Sequence, residues 1–303
     1  MALHSFHLAK APVRGAVGAL LRPPSAPGLQ HIEVLVGMKL GAPVVSPSRM
    51  QLRHLAVFAE WADEAALEAF LAEDRFGRTL DAGWHVRLEY LRRWGSVREL
   101  AHLPAETGRT DPGEPVVAVT VARMRLPELP RFIRWGRPVE RQVRDHPETT
   151  LALAAMRPAR TVCTFSVWTS ARAMTGMVFG RGTGAAARLH HEAMAERDRR
   201  DFHHEFTTLR FRPLSEHGSW EGRSNIVPAA EPEGPAAAES GLHGPRGPLR
   251  ARPEHGAEHD HAGPEAEVQP VVGGVDGHEV GGGFEVDDEA VQPQHQVDRA
   301  AVE

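Results

Sequence analysis

The sequence predicts an α+β fold built twice within one chain, and three observations predict it. Strand-like and helix-like segments alternate along residues 1–222. AVFAEWADEAALEAF can be laid over CTFSVWTSARAMTGM at a single offset, which pairs Phe58 with Phe165, Trp61 with Trp168, Leu67 with Met174 and Phe70 with Met177. Large aromatic residues stop near residue 228, with Phe284 the lone exception beyond it. Each half then reads strand, helix, strand, strand, helix, strand, the ferredoxin-like plan. Helices cover one face of such an antiparallel sheet and leave the other to be buried. Duplicated ferredoxin-like units can meet that need by closing into a single-chain α+β barrel, followed here by a disordered tail.

The elements follow from local pattern. ALHSFHLA (2–9) reads as the first strand and residues 12–21 as a short helix. HIEVLVGMKL (31–40) and LRHLAVFAEW (52–61) are the next two strands. DEAALEAFLAED places Leu67, Phe70 and Leu71 on one helical face, and WHVRLEYLR (84–92) completes the first half, residues 1–102. LPAETGRTDPGEP (103–115) has the proline and glycine content of a linker. The second half, 116–222, opens on the β-branched strand PVVAVTVARMR. LPELPRFIRWGRPVERQVRDHP then fits a helix with Leu129, Phe132, Ile133, Val139 and Val143 on one face and a kink near Pro138. An apolar run at 151–156, the strand RTVCTFSVW and helices near 170–179 and 185–200 come next. In the last strand Phe206, Thr208 and Arg210 alternate with Thr207, Leu209 and Phe211, and Pro213 is expected to stop it. His203 and His204, adjacent in a strand, must point to opposite faces.

Composition separates a body from a tail. Residues 229–303 are rich in Gly, Pro, Ala, Glu and His and hold too little apolar bulk to offset the entropy of ordering, so they read as disordered. They carry 16 Asp and Glu against 4 Arg, which leaves the body net basic. His255, His259 and His261 lie among tail acids, but a segment that does not pack imposes no metal geometry. The basic residues of the body are scattered without an aromatic-interleaved stripe, and no nucleic acid is expected as a partner. The glycines of VFGRGTGA are not followed by a P-loop lysine, and the chain has only Lys10 and Lys39. Cys163 is the single cysteine, which excludes an internal disulfide and reads as a buried structural thiol. No apolar run approaches the ~20 residues that span a bilayer. The N-terminal stretch reads as strand then helix rather than as a signal peptide, and a cytoplasmic protein capable of peripheral membrane contact is expected.

FSVWTSARAMTGMVFGRG followed by HHEAMAERDRRDFHHEFTTLRFRPLSEHGSWEG resembles the C-terminal signature of spheroidene monooxygenase-like proteins. The signature consists of a phenylalanine and tryptophan strand, a helix of small and methionine residues, a histidine-bearing helix, and a final strand ending in arginine and proline before glycine and tryptophan. The resemblance is specific over 161–222 and covers residues 1–222 in plan. It implies the dimeric α+β barrel type shared with antibiotic biosynthesis monooxygenases. It further implies a haem-associated monooxygenase that uses O₂ on a small hydrophobic substrate such as a carotenoid or polyprenoid, with an electron donor that the sequence does not name. Side chains alone cannot activate O₂; a metal, a flavin or an electron-rich substrate must. The resemblance places His190 as the axial ligand of haem iron. This chain departs from the family pattern at GRGTGAAARL and at His203 and His204.

The candidate site residues divide by role. His190 is the metal ligand. Arg210 would pair with a haem propionate, or with another carboxylate on an exposed strand face. His203 and His204 are candidates for a general base or pocket donor, and equally for a structural pair flanking Phe202 and Phe206. Phe165, Trp168, Met174 and Met177 would line the substrate pocket, or form core repeated in both halves. Two other functions fit the same features. One is a cofactor-free oxygenase in which the substrate itself donates electrons to O₂; the other is a non-catalytic protein that holds a hydrophobic ligand.

Overall fold

A computed structural model describes residues 2–40, 42, 49–158, 160–178, 196 and 199–229. The first half runs β1 (Leu3–Lys10), α1 (Val13–Leu21), β2 (Leu29–Met38), β3 (Met50–Trp61), α2 (Glu64–Glu73), α3 (Arg75–Asp81) and β4 (Trp84–Ser96). The second runs β5 (Val116–Met124), α4 (Leu129–Arg144), β6 (Thr149–Arg157), β7 (Thr161–Trp168), α5 (Ala171–Val178) and β8 (His203–Gly218). The strands close one barrel in the order β1-β3-β2-β6-β7-β5-β8-β4. Within it each half keeps the order fourth, first, third, second, so the chain is a single-chain α+β barrel of two ferredoxin-like units. The expected helix near 185–200 and nearly all of the 229–303 tail lie outside the described residues.

Strand registers make the duplication quantitative. Phe6 pairs with Phe58 as Val119 pairs with Phe165, and Glu33 pairs with Phe58 as Leu153 pairs with Phe165. Even the irregularity is repeated: β2 slips register between Leu29 and His31 against β3, and β6 slips between Thr149 and Leu151 against β7. A bulge at the same place in both halves is a backbone feature that composition alone would not produce.

Period two decides what each face does. Phe6, Phe58, Trp84, Phe165 and Phe211 point into the barrel, where Phe6 stacks on Phe165 at 3.8 Å between ring centroids and joins the halves across the lumen. Trp61 with Leu67 and Phe70, and Trp168 with Met174 and Met177, point outward beneath the helices. The outer layers depend on tight caps. Asp74 ends α2 and starts α3, its carboxylate accepting from the Phe76 and Gly77 amides at 2.7 and 2.9 Å. Gly77 is required there because a Cβ would meet the Phe70 carbonyl oxygen at 1.9 Å. Asp74→Ala is expected to cost about 1 kcal/mol, the usual value of an N-cap, read as a lowered urea midpoint at unchanged slope.

The two halves meet at unequal seams. β4 and β8 pair from Trp84↔Gly218 to Ser96↔Phe206, whereas β2 and β6 pair only at Val36↔Met156, Gly37↔Ala155 and Met38↔Ala154. Pro213 does not stop the last strand as expected; β8 continues to Gly218. Its pairing with β5 ends at Phe211, and its ladder with β4 is irregular between Leu88 and Arg87. A missing N–H is therefore tolerated at Pro213, on a strand that has one neighbour left and a bulge beside it. Among the described residues no helix is long and apolar enough to cross a membrane.

Candidate functional site

Beside the short seam lies a cleft of about 370 Å³ between β2, β3, β6 and the turn after β8. That volume falls at the small end of ligand pockets. Leu8, Leu55, Ala56, Leu151, Leu153 and Ala154 give it an apolar wall, and Lys39, Arg144, Arg223 and Glu221 also line it, the Arg144 guanidinium being held by both carboxylate oxygens of Asp145 at 2.7 Å. The turn Trp220–Arg223 closes on itself through reciprocal backbone bonds of 2.9 Å, with Glu221 at φ 51° and Gly222 at φ 77°. Two consecutive positive φ values are what a two-residue hairpin turn needs, and glycine supplies one of them without strain. Arg223 then pins the turn by donating to the Thr150 carbonyl at 2.7 Å. Glu216 accepts from the Trp84 indole at 2.7 Å and from the Ile226 and Val227 amides, which holds the following segment over the barrel interior.

His54 stands in the cleft wall, its ring edge-on to Trp220 at 5.1 Å, and Lys10 lies 5.8 Å from the same indole. Burial lowers the His54 pKa below the ordinary histidine value, and the charges of Lys10 and Arg53 lower it further against the opposing pull of Glu221. At neutral pH the imidazole is therefore unprotonated and able to accept a proton.

The other end of the barrel is built from equivalent positions with different chemistry. Lys10 pairs with His54 as Arg123 pairs with Thr161. His31 and Glu33 occupy the places that Leu151 and Leu153 hold at the cleft. Glu33 is buried and ion-paired to Arg123, to Arg157 at 3.2 Å and to His31 at 3.4 Å; Arg123 also donates to Thr161 at 3.1 Å. Burial alone would raise the Glu33 carboxyl, but hydrogen bonds from His31 and Arg123 and the two guanidinium charges outweigh it and hold the group at about 2. This end is sealed by charge.

Among the described residues, those expected from sequence do not converge. His190 lies outside the described residues. His203 is buried, its ring within 6.0 Å of Phe132, Phe202 and Phe206 and its Nδ1 3.1 Å from Asp201, whereas His204 is exposed. Arg210 is buried with its guanidinium 5.0 Å from the Trp94 ring. Phe165 faces the lumen while Trp168, Met174 and Met177 pack beneath the helices, so the four do not line one pocket. Positions 165 and 168 are an odd number apart and a strand sends them to opposite faces. Haem needs an iron ligand beside a flat cavity. The expected ligand, His190, lies outside the described residues; among those described, His203 sits within three phenyl rings and Arg210 packs on an indole. No group of three or more His, Cys, Asp or Glu among the described residues could hold a metal ion. Sequence reasoning missed His54, Lys39, Arg144, Trp220 and Arg223, which are brought together only by barrel closure. The one local signal was SEHGSWEG, whose glycines mark turns.

No family model matches the chain, and no curated protein matches it. Solved structures match its fold at low identity. An aldoxime dehydratase in complex with butyraldoxime is 6% identical, with 71% of this chain and 79% of that chain covered and a TM-score of 0.41. A monooxygenase-like protein from Listeria innocua is 10% identical over 71% of this chain and 96% of that chain, with a TM-score of 0.24. A heme-degrading enzyme from Listeria monocytogenes is 10% identical over 68% of this chain and 98% of that chain, with a TM-score of 0.23. These likenesses carry no activity over to this chain.

Proposed function

We propose that this protein is a monooxygenase-type barrel that takes a small hydrophobic substrate with an acidic or enolisable group into the cleft and oxidises it with O₂, the substrate supplying the electrons. The observation that supports this reading is a neutral imidazole, His54, in an apolar wall ringed by Lys39, Arg144 and Arg223. His54 removes a proton from an activated CH₂ of the substrate, and Lys39 and Arg223 stabilise the enolate. The enolate passes electrons to O₂ and combines with it as a hydroperoxide. Loss of water leaves a carbonyl, so that one CH₂ and one O₂ give one C=O and one H₂O. All four electrons come from the substrate and no external donor enters.

The test uses 1,8-dihydroxy-9-anthrone as an enolisable probe and measures O₂ uptake above the rate without protein. His54→Ala is expected to reduce the protein-dependent rate by roughly 10²–10⁴-fold, the range for a general base. In the intact protein the rate is expected to fall as pH drops below 6.5, because the base must be unprotonated and its pKa is lowered. Binding of the probe without faster uptake would instead identify a ligand carrier. The haem-associated reading rests on the sequence resemblance at 161–222 and on His190. Uptake that tracks added haemin, with a Soret shift lost in His190→Ala, would replace the cofactor-free reading with it.

A further inference from the structure

At the sealed end, three adjacent strands carry an ionisable row that the fold itself does not need. His4 on β1 pairs directly with Glu60 on β3, and Glu60 pairs with His31 on β2. The equivalent positions in the second half are Val117, Val167 and Leu151, which pack the lumen with no polar atom. His4 is 1% exposed, lies 5.0 Å from the Phe211 ring and 5.8 Å from that of Phe58, and neither of its ring nitrogens has a hydrogen-bond partner. Glu60 is equally buried. Its Oε1 is 2.8 Å from Nε2 of His102, whose side chain is 53% exposed, and its Oε2 has no partner. His102 and His31 are near enough for their charges to act on the His4 ring.

Buried polar atoms without partners are rare and call for a bound molecule or a role. A carboxylate with one oxygen on a solvent-exposed imidazole and the other facing a buried one has the connectivity of a shuttle. We propose that His102, Glu60 and His4 form a proton path from solvent into the barrel, with a bound water linking Glu60 Oε2 to the His4 ring. Direct cross-strand partners on one face have Cβ atoms about 5 Å apart, which suits one bridging water. A proton on His102 Nε2 passes to Glu60 Oε1, and the carboxyl group turns to present it to the water. The water protonates the bare His4 nitrogen, the ring turns over, and its other N–H returns a proton to the water and back along the same path, so that the ring proton exchanges with solvent. Only N–H and O–H bonds form and break, one proton enters as one leaves, and no electrons are transferred. This path is independent of the chemistry at the cleft.

The experiment measures exchange of the His4 ring N–H with water by NMR on the ¹⁵N-labelled full chain, using the Phe6 amide of the same strand as the unfolding reference. The His4 proton is expected to exchange far faster than that amide. Glu60→Gln and His102→Gln are each expected to slow it at least about tenfold while leaving the Phe6 amide unchanged. His4 exchange that matches the Phe6 amide in the unaltered chain would show that the ring is reached only by unfolding, which overturns the proposal. So would unchanged exchange in His102→Gln, a surface substitution that serves even if Glu60→Gln loosens β1.

Discussion

Glu33→Ala is expected to destabilise the fold by about 3–5 kcal/mol, the cost of leaving buried charge without its counter-ion. Glu33 belongs to the first half, whereas Arg123 and Arg157 belong to the second, so one carboxylate bridges β2 to β5 and β6 at one end of the barrel. The β2–β6 seam has only three residue pairs, and few backbone bonds are available to share the loss. Arg123 would keep a contact with Glu99 at 3.3 Å, but Glu99 is far more exposed than Glu33 and its attraction is correspondingly screened. Glu33→Gln, which keeps one acceptor oxygen for a guanidinium group but places an N–H donor against the other, is expected to cost less than the alanine change. Urea midpoints of the two variants against the unaltered chain test this; equal midpoints for all three would mean that the cluster contributes nothing net.

The fold is also expected to lose stability steeply as pH falls below 6.5, before the carboxylates titrate. Burial lowers His4 to about 3 and His85 to about 4, and holds His7 well below the ordinary value. His85 stacks between His7 and His217 at 5.0 and 4.6 Å, with the charges of His217 and Arg87 opposing its protonation and that of Asp81 favouring it. Unfolding releases these rings to water, where they titrate near 6.5. Between that pH and the lowered values the unfolded chain binds more protons than the folded one, so stability is complete above 6.5 and declines on acidification. His4 and His7 each contribute about 1.4 kcal/mol per pH unit once their unfolded forms are protonated. His85 acts in the same direction. Glu33, held at about 2, adds to the loss only below the usual carboxylate range. Urea midpoints between pH 7.5 and 5 are the measurement. A flat profile to pH 5 would contradict it, and His4→Phe is expected to flatten the profile in part.

The duplication was legible because Phe58 and Trp61 recur as Phe165 and Trp168 at one offset, and a repeated aromatic strand implies a repeated sheet. The outer faces were legible for the same reason, since Leu67 and Met174 mark equivalent helices. What stayed hidden was the partition of those aromatics between lumen and helix layer, although strand parity contained it. The cleft was not legible. Lys39, His54, Arg144 and Arg223 come from separate elements and meet only when β2 pairs with β6. His4 and Glu60 could have been flagged, as polar residues in register with the core positions Phe6 and Phe58 on two apolar strands. Pro213 misled because its effect depends on a bulge and a missing neighbour, both properties of pairing rather than of local sequence.

The repeated register with unlike side chains has a consequence for how this barrel can change. In a barrel of two identical subunits, a two-fold axis makes the ends copies of one another, so every substitution is made twice. Covalent fusion removes that constraint. Leu151 and Leu153 could be selected for an apolar wall while His31 and Glu33, at the matching places, were selected for charge. A lineage can therefore refine the specificity of one mouth without reopening the other.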